Sequence, residues 1–125
     1  MKAAALALLL AAAVPAHACG VCAEDKVAAT YDHRSVQEAL ARGRVVVYCE
    51  VTGLRDVQRA RQAAARVRGV DARSVRVSTE PAALSFVLDP KQQSAQAAVL
   101  ALQAALPPGA KLAILKVEGQ GGVAP

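Results

Sequence analysis

Apolar residues follow three different rhythms along this chain, and each rhythm predicts a different kind of element. Ala3 to Val14 is an unbroken apolar run of twelve residues behind the positive start Met1-Lys2. From Ala23 the pattern becomes helical. Ala23 to Tyr31 reads as a short helix with Glu24 and Asp25 in its first turn, where the helix dipole favours carboxylates. Asp32-His33-Arg34 interrupts it. Ser35 is then expected to cap a second helix, with Glu38 three residues on completing a capping box. Val36, Ala39 and Leu40 supply its apolar stripe and Gly43 its end.

The rhythm changes again at Arg44. Val45-Val46-Val47-Tyr48-Cys49-Glu50-Val51 is β-branched and predicts a strand, turned by Thr52-Gly53. Leu54 to Arg68 reads as a helix with Val57, Ala60, Ala64 and Val67 facing inward and Gly69 closing it. Ser74 to Thr79 and Ala82 to Leu88 predict a hairpin around Glu80-Pro81, with Leu84, Phe86 and Leu88 on one face. Asp89-Pro90 reads as a helix start, leading into Lys91 to Leu106 with Ala95, Val99, Leu102 and Leu106 inward. Pro107-Pro108-Gly109 stops that helix. Lys111 to Val117 is the last strand, and residues 118–125, rich in Gly, are expected to be a disordered tail.

From residue 44 the order is strand, helix, strand, strand, helix, strand. It defines an α+β fold, the ferredoxin-like βαββαβ sandwich, with two helices on one face of a four-stranded antiparallel sheet. The predicted organisation is a signal peptide at 1–18, a Cys-bearing helical arm at 19–43, the sandwich at 44–117 and the tail at 118–125.

The first eighteen residues set the compartment. A basic start, a short apolar core, Pro15 and then Ala16-His17-Ala18 make a Sec-type export pattern with cleavage after Ala18. Twelve apolar residues fall short of the roughly 20 needed to span a bilayer, and no transmembrane segment is expected. The expected location is periplasmic or secreted; the alternative is a lipoprotein acylated at Cys19. The net charge of +5 with only 2% aromatic residues argues against nucleic acid, since there is little to stack on bases. Arg55, Arg59 and Arg66 read as solvated helix surface.

The chemistry concentrates in Cys19-Gly20-Val21-Cys22. Two thiols at this spacing can hold one soft ion, of the Cu(I) or Zn class. Cleavage after Ala18 would add the α-amine of Cys19 as a chelating nitrogen, with a reference pKa of about 7.7–8.0. His33 could add an imidazole. The candidate metal site is therefore Cys19, Cys22 and His33. The same two cysteines could instead form a disulfide, either structural or in a thiol-disulfide redox protein, since a thiolate at a helix start is stabilised. A third reading is a non-enzymatic interaction domain that uses the free sheet face or an edge strand to bind a protein partner. Cys49 shares a strand face with Val45, Val47 and Val51 and is read as a buried small hydrophobe. No Ser/His/Asp set, phosphate-binding Gly loop or carboxylate-rich site is present, so a thiol oxidoreductase is the one enzymatic alternative.

Residues 44–117 resemble the heavy-metal-associated domains of copper chaperones and metal-transport ATPases. The resemblance lies in Val51-Thr52-Gly53-Leu54, Gly69-Val70 and Ala83-Leu84-Ser85-Phe86-Val87-Leu88-Asp89. It implies a ferredoxin-like fold and soft-metal handling. The family's CxxC falls in the loop after the first strand, near Asp56 and Arg59 here, where this chain has no cysteine. N-terminal sequencing of the exported protein is expected to begin at Cys19; a lipid-modified or uncleaved terminus would overturn the free-amine arrangement.

Overall fold

A computed structural model describes residues 23–119. The expected signal peptide, Cys19, Cys22 and the tail beyond residue 119 lie outside the described residues. Two short helices come first, α1 (Ala23–Ala28) and α2 (His33–Ala41), followed by strand β1 (Val45–Thr52) and helix α3 (Val57–Ala65). Strands β2 (Arg76–Thr79) and β3 (Ala82–Leu88), helix α4 (Ala95–Ala105) and strand β4 (Lys111–Glu118) complete the chain. The sheet order is β2-β3-β1-β4 with every neighbouring pair antiparallel. Val47 stands opposite Phe86, Cys49 opposite Leu84 and Val51 opposite Leu112. This is the ferredoxin-like α+β sandwich that the order of elements predicts.

The helix starts differ from the sequence expectation. Each of α2, α3 and α4 is capped by an Asp or Ser oxygen that accepts from the amide three residues on. Asp32, not Ser35, caps α2: its Oδ1 accepts from the Ser35 amide at 2.7 Å. Glu38 therefore completes no capping box and pairs with Arg34 instead, at 3.2 Å. Asp56 caps α3 by accepting from the Arg59 amide at 3.1 Å, so that helix begins at Val57 and not at Leu54. Asp89-Pro90 does not open α4. The Asp89 carboxylate is taken by the Lys91 amide, the Gln92 side chain and Arg44, and Ser94 caps the helix by accepting from the Ala97 amide. Ser74 belongs to a short 3-10 turn, Ala72–Ser74, capped by Asp71, so β2 starts at Arg76.

Two apolar layers are packed against the sheet. On one face Val45, Val47, Cys49 and Val51 of β1 join Leu84, Phe86 and Leu88 of β3 against Ala60 and Ala64 of α3 and Ala98, Val99 and Leu102 of α4. Ala98 replaces Ala95 at the centre of the α4 stripe; Ala95 is only partly buried. On the opposite face Val46, Tyr48 and Val87 meet Val36 and Ala39 of α2, with Val27, Tyr31, Leu40 and Leu115 around them. The arm is thus part of the folded body. It covers the sheet face that the interaction-domain reading took to be free, while β2 and β4 remain the edge strands of the sheet.

Close backbone approach makes one glycine obligatory. Gly53 has φ +72°, and a Cβ there would stand 2.1 Å from the carbonyl oxygen of Gly109. Among the described residues no helix is long and apolar enough to cross a membrane. Phe86→Ala is expected to cost about 3–5 kcal/mol in urea unfolding, as expected for a large core side chain. Ala39→Asp, which buries a carboxylate between arm and sheet, should cost several kcal/mol. An unfolding midpoint unchanged by Ala39→Asp would show that the arm does not contribute to the folded state.

Candidate functional site

The arm is anchored to the sheet by a small set of polar contacts around a tyrosine pair. Thr30 and Ser85 share a buried hydroxyl hydrogen bond of 2.8 Å. The Tyr31 hydroxyl donates to the Ser74 carbonyl, and Ser74 Oγ in turn accepts from the Val87 amide at 2.8 Å. Tyr31 stands edge-on to Tyr48, with centroids 6.1 Å apart, and Arg76 lies 5.8 Å from the Tyr31 ring centre. Lys26 pairs with Glu50 of β1 at 3.1 Å. These contacts hold α1 although none of its residues is fully buried.

Between arm and sheet they leave a cavity of about 440 Å³. Its floor is Tyr48 and Leu115, its wall Val27, Tyr31 and Val36, and its rim Ala23, Glu24, Asp32, His33, Lys116 and Glu118. The cavity is acidic although the chain is basic. Three carboxylates stand against one ammonium, and Lys116 is paired with Glu118. Burial, then the nearby Glu118 charge, pushes the Tyr48 hydroxyl well above the ordinary phenol range. Burial also raises Tyr31, partly opposed by its bond to Ser74. The Asp32 carboxyl is held below its usual value, chiefly by the Ser35 amide that it caps.

His33, a residue of the expected metal site, opens α2 at the cavity rim. Cys19 and Cys22 lie outside the described residues. Ala23, the residue after Cys22, lines the same cavity as His33. Among the described residues no group of three His, Cys, Asp or Glu side chains is close enough to hold a metal. Nor do the positions matching the family loop suit a soft ion: Asp56 is engaged as the α3 cap and Arg59 is an exposed cation. Cys49 is fully buried in the core, and desolvation raises its thiol to about 12. It is packing, as its strand face implied.

Tyr31, Tyr48 and Glu118 are cavity residues that the sequence reading did not single out as a site. The available signal was Tyr48, which falls on the strand face opposite Val45, Val47 and Cys49. A large aromatic there implies a second covered face. No family model, curated protein or solved structure matches the chain.

The Cys49 thiol sets an expectation for pH. Its folded pKa lies above the ordinary thiol value of about 9.0, so the neutral form is favoured in the fold. The associated stability is complete below pH 9 and is lost as pH rises toward about 12. The raised tyrosines act with the same sign above pH 10. Cys49→Ala is expected to flatten the fall in urea midpoint between pH 8 and pH 10, and an equally steep fall in the variant would contradict this origin. In the native protein at pH 8, Cys49 should resist iodoacetamide until urea is added.

Proposed function

We propose that the protein binds a soft metal ion, Cu(I) or Zn²⁺, through the thiolates of Cys19 and Cys22 with His33 as a nitrogen donor. The observation that carries this reading is the shared cavity of Ala23 and His33. Cys22 is the residue that precedes Ala23 in the sequence. An imidazole and two thiolates form a donor set suited to soft and borderline cations. The carboxylates of Glu24 and Glu118 lower the potential at the cavity mouth and attract a cation toward it. The ferredoxin-like sheet serves as a rigid platform on which the arm presents its ligands, and metal capture after export is the matching role. The resemblance to heavy-metal-associated domains belongs to the same proposal, with the ligands moved from the loop after β1 to the N-terminal arm.

Cu(I) and Zn²⁺ titration against a chromophoric chelator tests the reading. One equivalent is expected to bind, and His33→Ala should weaken it by at least on the order of 10-fold, the scale of losing even an outer-shell partner. Cys22→Ser should abolish competition with the chelator. Unchanged stoichiometry and affinity after Cys22→Ser would reject the site. Catalysed insulin reduction by the metal-free protein would instead favour the disulfide-exchange alternative.

A further inference from the structure

Helices α3 and α4 cover the sheet face opposite the arm, and their outward surfaces are unlike. Arg59 on α3 and Arg66 at its C-terminal cap stand seven residues apart, the spacing of one helical face, Arg55 lies in the loop just before the helix, and all three are exposed. Arg61 is exposed on the same helix. Among the described residues, none of these four guanidinium groups has an ion pair; the cations so engaged are Lys26, Arg34, Arg44 and Lys116. Asp56, the one acid in the segment, is committed to the α3 cap.

Beside this row lies a surface with no charge. No residue from Gln92 to Ala110 is charged. Leu100 is 71% exposed, the one large apolar side chain among the described residues left to solvent, and Ala101, Ala104 and Ala105 are exposed around it. The segment after α3 is tied to the segment before α4: Arg68 donates to the Gln92 carbonyl, and the Gln93 amide donates to the Arg68 carbonyl at 2.9 Å. The cavity carboxylates Glu24, Asp32 and Glu118 belong to the other side of the sheet.

We infer that the α3–α4 face docks on an anionic phospholipid surface, with the arginine row on lipid phosphates and Leu100 at the acyl boundary. Guanidinium groups bind phosphate oxygens in pairs, which suits a row of unpaired arginines to headgroups. A basic row flanked by an apolar strip is the arrangement of interfacial binding. An acidic protein would satisfy the arginines but would leave the uncharged α4 strip without a counterpart. Docked in this way, the molecule turns its acidic cavity away from the negative membrane. The inference is independent of metal binding.

Cosedimentation with phosphatidylcholine vesicles, with and without phosphatidylglycerol, tests it. The chain is expected to bind only the anionic vesicles at ~0.01 M salt and to be released at ~0.15 M, as the Debye length falls from about 30 to about 8 Å. The triple variant Arg55→Gln/Arg59→Gln/Arg66→Gln should lose on the order of 100-fold in partitioning. The charge-matched Arg34→Gln/Arg42→Gln/Arg73→Gln should bind like wild type, and so should Cys19→Ser/Cys22→Ser. Should circular dichroism show the first triple unfolded, Arg59→Glu alone should lose on the order of 10-fold. Wild type ignoring anionic vesicles, equal binding to neutral ones, or equal losses in the two triples would overturn the inference. The first of these outcomes would leave the row to an acidic protein.

Discussion

Strand β1 is the constraint on which the rest of this structure depends. Five consecutive residues, Val45 to Cys49, are buried, which an antiparallel strand with one wet face cannot achieve. Both faces must be covered, and the strand lies inside the sheet between β3 and β4. One face needs α3 and α4. The other needs α2 and the tyrosines at the end of the arm. The N-terminal segment is therefore tied to the sandwich by the side-chain alternation of its central strand.

This tie gives the candidate site its position. A helical arm joined to the domain only through residue 43 would hold His33 at no defined distance from the sheet. Packed through Val36, Ala39 and Tyr31, it brings His33 and Ala23 to one cavity. The Thr30–Ser85 hydrogen bond and the Tyr31 bond to the Ser74 carbonyl hold the end of the arm on the sheet, and among the described residues no buried side-chain polar atom lacks a partner. The charge distribution follows the same division. Carboxylates gather at the arm-side cavity, and arginines without an ion pair gather on α3 and at its two ends, across the sheet.

Much of the fold was legible in the residues. The β-branched run of β1, the alternation of Leu84, Phe86 and Leu88, and the small-residue stripes of α3 and α4 placed the elements in the right order. Helix starts were less legible, because neighbouring Asp and Ser residues offer several chemically equivalent caps. Asp89 is a good cap by composition, yet Arg44, distant in sequence, competes for its carboxylate. The Arg44 contact has no local signal, although the Lys91 amide and the Gln92 side chain take the same carboxylate from close by. The site was legible in part. His33 could be named as a donor, but Tyr31, Tyr48 and Glu118 come from three separate segments and meet only in the folded chain.

By itself the sequence determined the α+β sandwich, the burial of Cys49 and the absence of cysteine from the loop after β1. Periodicity and residue type decide these, and both act over a few residues. Only the tertiary structure decided that the arm closes the second sheet face, and that His33 shares a cavity with the residue after Cys22. It also decided that the arginine row lies on the side away from that cavity. These depend on which apolar surfaces remain uncovered once the sheet has formed, a quantity that no local pattern contains.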